Sequence, residues 1–279
     1  VYGGQGNAMP LFKSRGSQTA PSGANFVTAA DFNGDGRLDL ASSSFDSDQL
    51  AVYLAQQNGT FGPALATPSG PGPSSITAAD FDGDGKVDVA LTLNTENTVT
   101  TLRGRGDGTF EQRLTWKAGV DPFSVVAADM DGDKKVDLVV ASAASGTVHV
   151  LGGRGDGTFD DSGGPFDVGA SATQAITADF NADGRLDVAV ANSSEHSVSV
   201  LLGNGDRTLQ KELRLQADNG SGSVCATDLD LDGRLDLVVA NHDAGSLSTF
   251  FGRGDGTFDL GPRLPLGGGR PYFLVCGDL

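Results

Sequence analysis

The sequence predicts an all-β fold: a β-propeller built of four-stranded antiparallel blades. Three observations predict it. An acidic motif opens at Asp31, Asp80, Asp129, Asp179, Asp228 and Asp278, at intervals of 49, 49, 50, 49 and 50 residues, and self-similarity at a fixed period of this length marks a stacked or radial repeat. Between the motifs lie apolar runs of four to seven residues, rich in Val, Ala and Leu and bounded by Gly, Asp, Asn and Ser, too short for helices at this spacing. Gly reaches 41 residues while only 7% of the chain is aromatic, which calls for many tight turns between short segments.

Each unit reads in the same order. A first run ("ITAAD", "VVAAD", "AITAD") leads into the acidic loop, and a second run follows ("VDLVVA", "LDVAVA", "LDLVVA") whose near-continuous apolar character fits a strand buried on both faces. A polar turn precedes a third run such as "TVHVL" or "SVSVL". Next comes a glycine turn, "GRGDGTF" at 104–110, 153–159 and 252–258. Asp-Gly between strands favours a hairpin because both residues tolerate positive φ, so the third and fourth strands are expected to be antiparallel neighbours. Four strands per unit, each unit burying its faces against the next around an axis, is the propeller architecture.

One domain, 1–279, is expected. Residues 26–74, 75–123, 124–173, 174–222 and 223–272 form five complete blades, 1–25 the end of a blade, and 273–279 the first strand of a further one. The leading "VYGGQGNAMPLF" fits a third strand and turn, since Phe12 stands 19 residues before Asp31 as Phe110 stands 19 before Asp129. The two ends are expected to share one composite blade, giving six positions, or seven if chain is missing.

The formal net charge of -17, with no run among the 19 Lys and Arg, argues against nucleic acid as a partner. No apolar stretch approaches the roughly 20 residues that span a bilayer, and "VYGGQGNAMP" lacks the regions of a signal peptide, so the chain as given is expected to be soluble and already processed. Cys225 and Cys276 precede a motif Asp by three and two residues; the opposite parity predicts opposite faces and free, buried thiols.

The acidic loops carry the chemistry. They place Asp at position one, Asp or Asn at three, Asp at five, a backbone carbonyl at seven and Asp at nine. Alternate side chains of a tight loop converge on one centre, and a set of oxygens at about 2.3–2.6 Å suits Ca²⁺, whereas Mg²⁺ demands a stricter octahedron and keeps its waters. The expected ligand sets are Asp31, Asn33, Asp35, the Arg37 carbonyl and Asp39; Asp80, Asp82, Asp84, the Lys86 carbonyl and Asp88; Asp129, Asp131, Asp133, the Lys135 carbonyl and Asp137; Asp179, Asn181, Asp183, the Arg185 carbonyl and Asp187; and Asp228, Asp230, Asp232, the Arg234 carbonyl and Asp236. About five Ca²⁺ are expected, one per complete blade. Without metal, carboxylates so close raise one another's pKa, which links cation binding to folding. Turn formation alone explains one "DGDG" but not five copies that keep the ninth-position Asp. An EF-hand is excluded, because its twelfth-position Glu is replaced by Ser42, Leu91, Val140, Val190 and Val239. In blade three, Lys134 replaces the usual Gly at position six, where the turn favours a left-handed residue, and a strained or weaker site is expected there.

The "DFDGDGKVD" loops and "GDGTF" turns resemble the FG-GAP and VCBS repeats of integrin α-subunit heads and fungal propeller lectins, over essentially the whole chain. The resemblance implies Ca²⁺ in the hairpin between first and second strands, with ligand recognition usually on the opposite face. It does not imply a single function.

Three "RGD" triplets, at 105–107, 154–156 and 253–255, fall in the glycine turn, where turn chemistry accounts for the Gly and Asp without a receptor. His149, His196 and His242 accompany no recognisable nucleophile motif, and packed or solvated imidazoles are expected. Ligand recognition is expected on the face opposite the loops, around Phe45, Asp46, Glu96, Trp116, Asp121, Phe123, Glu195, His196, His242, Asp243, Arg270 and Tyr272, with Trp116 equally suited to the core. The leading reading is a secreted or surface-displayed, calcium-stabilised module binding a carbohydrate or protein ligand without catalysis. A polysaccharide lyase or hydrolase scaffold and a structural segment of a larger surface protein stand as alternatives. The oligomeric state is left open.

Overall fold

The computed structural model describes residues 17–277. All regular structure among them is β, with no helix long and apolar enough to cross a membrane. Blade one comprises β1 (Ala24–Ala30), β2 (Asp39–Ser44), β3 (Gln49–Tyr53) and β4 (Leu65–Pro68). Blade two comprises β5 (Pro73–Ala79), β6 (Asp88–Leu93), β7 (Thr98–Gly104) and β8 (Phe110–Lys117), and blade three β9 (Pro122–Ala128), β10 (Asp137–Ser142), β11 (Thr147–Gly153) and β12 (Phe159–Asp167). Blade four holds β13 (Ala172–Ala178), β14 (Asp187–Asn192), β15 (Ser197–Leu201) and β16 (Leu213–Gln216). Blade five holds β17 (Ser221–Thr227), β18 (Asp236–Asn241), β19 (Ser246–Gly252) and β20 (Phe258–Leu260), with a short β21 (Leu264–Pro265) also paired to β19. Each sheet is an antiparallel meander in chain order, as the Asp-Gly turns predict.

The core sits between blades. Four clusters of buried side chains each join one blade to the next; Leu50 and Val52 of blade one, for example, pack with Val89 and Leu91 of blade two. Burying each such side chain contributes about 1.5–3 kcal/mol. The second strands β6, β10, β14 and β18 are buried along their whole length, which is why their sequences do not alternate. An aromatic bracket ties the seams: Phe32, Phe81 and Phe180, at position two of their loops, meet Phe110, Phe159 and Phe258 of the following blade edge to face at 6.0, 5.5 and 5.8 Å.

The first strands β1, β5, β9 and β13 and Phe273 line a cavity of about 360 Å³, bounded by residues that include Val27, Ile76, Val125 and Gln174. Phe26 of β1 touches Phe123 of β9 at 6.3 Å and Phe273 of the tail at 5.6 Å. The tail, expected as a first strand, has no ladder partner among the described residues, yet Leu274 donates its N–H to Ser223 Oγ at 2.9 Å. It thus bridges blade five and blade one. The leading "VYGGQGNAMPLF", with Phe12, and Asp278 lie outside the described residues, as do the remaining residues up to 16 and Leu279.

The thiol expectation is corrected. Cys225 and Cys276 form a disulfide, with Cα atoms 5.8 Å apart, inside the range a bridge requires. Parity within two separate strands says nothing about how those strands approach. Here the tail lies alongside β17, and the two cysteines meet across that seam.

Candidate functional site

The acidic loops join first to second strands at one edge of every blade. The ninth-position Asp opens the second strand and is buried in all five: Asp39, Asp88, Asp137, Asp187 and Asp236. Each uses one oxygen to accept the N–H of position two and the other to accept an N–H at the hairpin beyond the third strand. For Asp88 these are Phe81 N at 2.9 Å and Gly104 N at 2.7 Å; for Asp236 they are Leu229 N and Gly252 N, both at 2.8 Å. Glycine is required at 104 because a Cβ there would lie 2.1 Å from the Val87 carbonyl oxygen.

The first-position Asp folds the loop over itself. Asp80 accepts the N–H groups of Gly83 and Gly85, both at 2.8 Å, and Asp31 accepts those of Asp35 at 3.0 Å and Gly36 at 2.7 Å. The Gly36 N–H above all holds the Asp31 carboxyl below its ordinary range. Positions four and six take up left-handed backbone. Lys134 does so at φ 68°, and Ala182 and Leu231 do so at position four with φ 59° and 63°; the last two break the glycine rule where the sequence analysis had not looked.

Positions one, three and nine converge. Oxygens of Asp80, Asp82 and Asp88 lie within 4.8 Å of one another, as do those of Asp129, Asp131 and Asp137 and those of Asp228, Asp230 and Asp236. In loops one and four the third place is an amide, and Asn33 and Asn181 donate to Asp35 and Asp183 at 2.8 and 3.1 Å. The fifth-position carboxylates stand outside these clusters. Asp84 and Asp133 face Lys86 and Lys135 at 3.3 and 3.1 Å, Asp183 faces Arg185 at 3.7 Å, and Asp35 and Asp232 pair with Arg37 and Arg234. Their pKa values fall where shifts are resolved, chiefly through the N–H of position seven: Asp84 by Lys86 and Asp133 by Lys135. Burial acts the other way at position nine, pushing Asp88 up to about 6 and raising Asp137 and Asp187.

Converging hard oxygens of net negative charge with little positive charge among them are the donor set of a divalent cation. The converging carboxylates of blades two and five fit one, with the half-exposed Arg103 beside Asp82 in blade two, and loops one and four present the same positions with an amide at the third. Blade three differs. Arg207, from the glycine turn of blade four, places Nε 3.0 Å from Asp131 and 3.2 Å from Asp137, and Nη2 3.4 Å from Asp133. This arginine was not among the residues expected from the sequence; its signal was "GDR" where three other turns read "GDG" and blade one "QNG".

The RGD aspartates are engaged within their own turns. Asp107 accepts both the N–H and the hydroxyl of Thr109, at 2.9 and 2.6 Å, and Asp156 and Asp255 bond Thr158 and Thr257 likewise; the threonine hydroxyl is the main cause of their lowered pKa.

On the opposite face, Trp116 belongs to the core, edge-on to Phe159 at 5.2 Å. Glu96 and Glu195 pair with Arg113 and Arg214, and His196 Nδ1 accepts the Gly220 N–H at 3.1 Å. The His242 ring lies 3.9 Å from that of Tyr272, its Nδ1 2.9 Å from Asp243, and Tyr272 is 74% exposed. His149 is packed within β11, 3.7 Å from Asp161.

The FG-GAP-like repeat family matches residues 31–91, 80–140, 129–190, 179–239 and 228–279. No curated protein matches the chain. Among solved structures, an Agrocybe aegerita lectin, described in recognition of non-reducing terminal N-acetylglucosamine, is 23% identical with a TM-score of 0.59 over 88% of this chain, which spans 66% of its length. BBS1N, solved in complex with ARL6DN, is 14% identical with a TM-score of 0.62 over 90% of this chain and 70% of its own. The V. cholerae biofilm matrix protein Bap1 is 17% identical with a TM-score of 0.51 over 89% of this chain and 40% of its own. These likenesses establish the propeller fold, and with all five acidic loops inside matched repeats the chain belongs to the FG-GAP-like repeat family.

Proposed function

We propose that the protein is an extracellular, calcium-stabilised propeller that binds a ligand on the face opposite its acidic loops, and that of the two ligand classes, carbohydrate and protein, carbohydrate is the better supported. Ca²⁺ would be held by oxygens of positions one, three and nine, with the seventh-position carbonyl and the fifth-position Asp completing the set after its Lys or Arg partner turns aside. The cation supplies charge neutralisation and a cross-link among loop segments, and no catalytic step is assigned to it. The Cys225–Cys276 disulfide supports an oxidising compartment, where calcium is also abundant enough for loops of this kind.

The observation that carries the ligand reading is Tyr272: an exposed ring on the loop face opposite the metal sites, backed by His242 and flanked by the Asp243 carboxylate. An aromatic face beside hydrogen-bonding groups suits the apolar face and the hydroxyls of a sugar. A glycan array probed in calcium with the wild-type chain and with Tyr272→Ala tests it. Binding that drops at least tenfold in the variant is the expected result. Absence of glycan binding, with capture of a protein ligand instead, would overturn the carbohydrate assignment, and turnover of a bound polysaccharide would overturn the non-catalytic reading.

A further inference from the structure

We propose that in blade three the guanidinium of Arg207 takes the place a divalent cation fills in the other loops, so that the propeller carries four calcium sites and one tethered cation. The inference rests on the calcium reading of the remaining loops.

The geometry follows from how successive blades dock. The glycine turn of each blade sits over the acidic loop of the blade before it. Gly108 of blade two donates its N–H to the Phe32 carbonyl at 3.0 Å, and Gly157 of blade three donates to that of Phe81 at 3.0 Å. A side chain grown from this place points into the preceding loop: a Cβ on Gly157 would lie 3.5 Å from Cβ of Asp82, at position three. Four turns keep glycine there, at Gly59, Gly108, Gly157 and Gly256, and blade four has Arg207. Arg207 adopts the same left-handed backbone, φ 70° against 76°, 82°, 79° and 81° for the glycines. A non-glycine residue there carries a conformational cost that local interactions must offset.

The side chain then enters the blade-three loop and ends where the carboxylates converge. Its Nε stands within ion-pair distance of both Asp131 and Asp137, at 3.0 and 3.2 Å, so guanidinium charge sits beside the two carboxylates a cation would bridge. Nη2 reaches Asp133 at 3.4 Å and donates to the Gly153 carbonyl at 3.3 Å. Room for it is left by Gly152, where a Cβ would lie 2.6 Å from Nη1. Arginine suits the task, since its planar fork serves several carboxylates at once and stays protonated.

Blade two provides the internal control. Arg103 also pairs with its loop, at 2.6 Å from Asp82 and 3.0 Å from Asp84, but its side chain is 46% exposed and Asp88 is not among its partners. The Arg207 side chain is 16% exposed and reaches the buried ninth-position Asp137. Charge completes the contrast: Lys134 and Lys135 flank the blade-three loop, giving three cationic side chains against its four carboxylates. A Ca²⁺ entering there would have to expel Arg207 from a nearly closed site.

Hydrogen exchange of the full chain, with calcium and after its removal, reads each loop separately. Calcium is expected to protect peptides covering 31–39, 80–88, 179–187 and 228–236 and to leave 129–137 unchanged, with four bound ions per chain by elemental analysis. Arg207→Gly, which restores the residue of the other turns, is expected to raise the count to five and to make 129–137 calcium-responsive. Should that variant fail to fold, Arg207→Gln removes the charge while keeping much of the bulk and is read the same way. Protection of 129–137 in the wild type, or an unchanged ion count after the substitution, overturns the proposal. Absence of protection at all five loops overturns the calcium reading itself and this inference with it.

Discussion

Cys225, in the innermost strand of the fifth blade, is bonded to Cys276 of the tail, 51 residues further on. The bridge fixes the tail in the seam beside β17, and Phe273 of that tail meets Phe26 of blade one. A covalent link over this loop length restricts the unfolded chain and stabilises by about 2–4 kcal/mol. The double variant Cys225→Ser, Cys276→Ser is therefore expected to lose stability of that order in guanidinium unfolding, with faster hydrogen exchange at 270–277. An unchanged midpoint would show that noncovalent contacts alone hold the tail in place.

Positions three and nine of a loop do different work. Asp88 ties two backbone N–H groups at 2.9 and 2.7 Å, while Asp82 accepts one, from Asp84 at 3.1 Å, and asparagine already serves in its place at 33 and 181. Asp88→Asn turns an amide N–H₂ toward a buried donor and is expected to cost about 1–3 kcal/mol in metal-free buffer. Asp82→Asn should stay within about 1 kcal/mol there, since the Arg103 side chain it pairs with is 46% exposed, yet lower calcium affinity. Urea unfolding with and without calcium separates the two, and equal losses in metal-free buffer would contradict the division.

The pH response is expected to change sign with the metal. Burial raises the carboxyls of Asp88, to about 6, and of Asp137 and Asp187. Between the unfolded and folded pKa values the native state binds more protons, so the stability these groups contribute is fully present below their unfolded values and is lost as pH rises through their folded ones, about 6 for Asp88. Metal-free protein should hold or gain stability on going from pH 7 to pH 5. Calcium-loaded protein should lose it, because protons compete for the same oxygens. Thermal midpoints at both pH values in both states are the measurement; parallel shifts would contradict the assignment.

Leu231 is a correctable fault. It stands at position four of the fifth loop with φ 63° and 87% of its surface exposed, where Gly34, Gly83 and Gly132 serve the first three loops. Leu231→Gly relieves the left-handed backbone at the cost of greater freedom in the unfolded chain, and a net gain of about 0.5–1 kcal/mol is expected. Urea midpoints at unchanged m would register it, and a loss would mean that the Leu231 side chain has a partner of its own.

The fold class was legible because its determinants are local and repeated. Alternating aspartates and four apolar runs per period appear five times over, with Asp-Gly turns in three of the units, and positions one, five and nine were recognisable as the constant acids of each loop. What pairs across blades was not legible, because a seam joins residues about 50 or more positions apart that share no local pattern. Arg207 reads in sequence as one odd turn residue, and only the stacking of blade four on blade three carries its guanidinium to Asp131 and Asp137. Cys225 and Cys276 read as two strand residues of opposite parity, and only the lie of the tail against β17 brings their Cα atoms to 5.8 Å. Period and turn chemistry are properties of neighbouring residues and survive in one dimension; cation balance and ring closure depend on which blades touch, and exist only once the chain has folded.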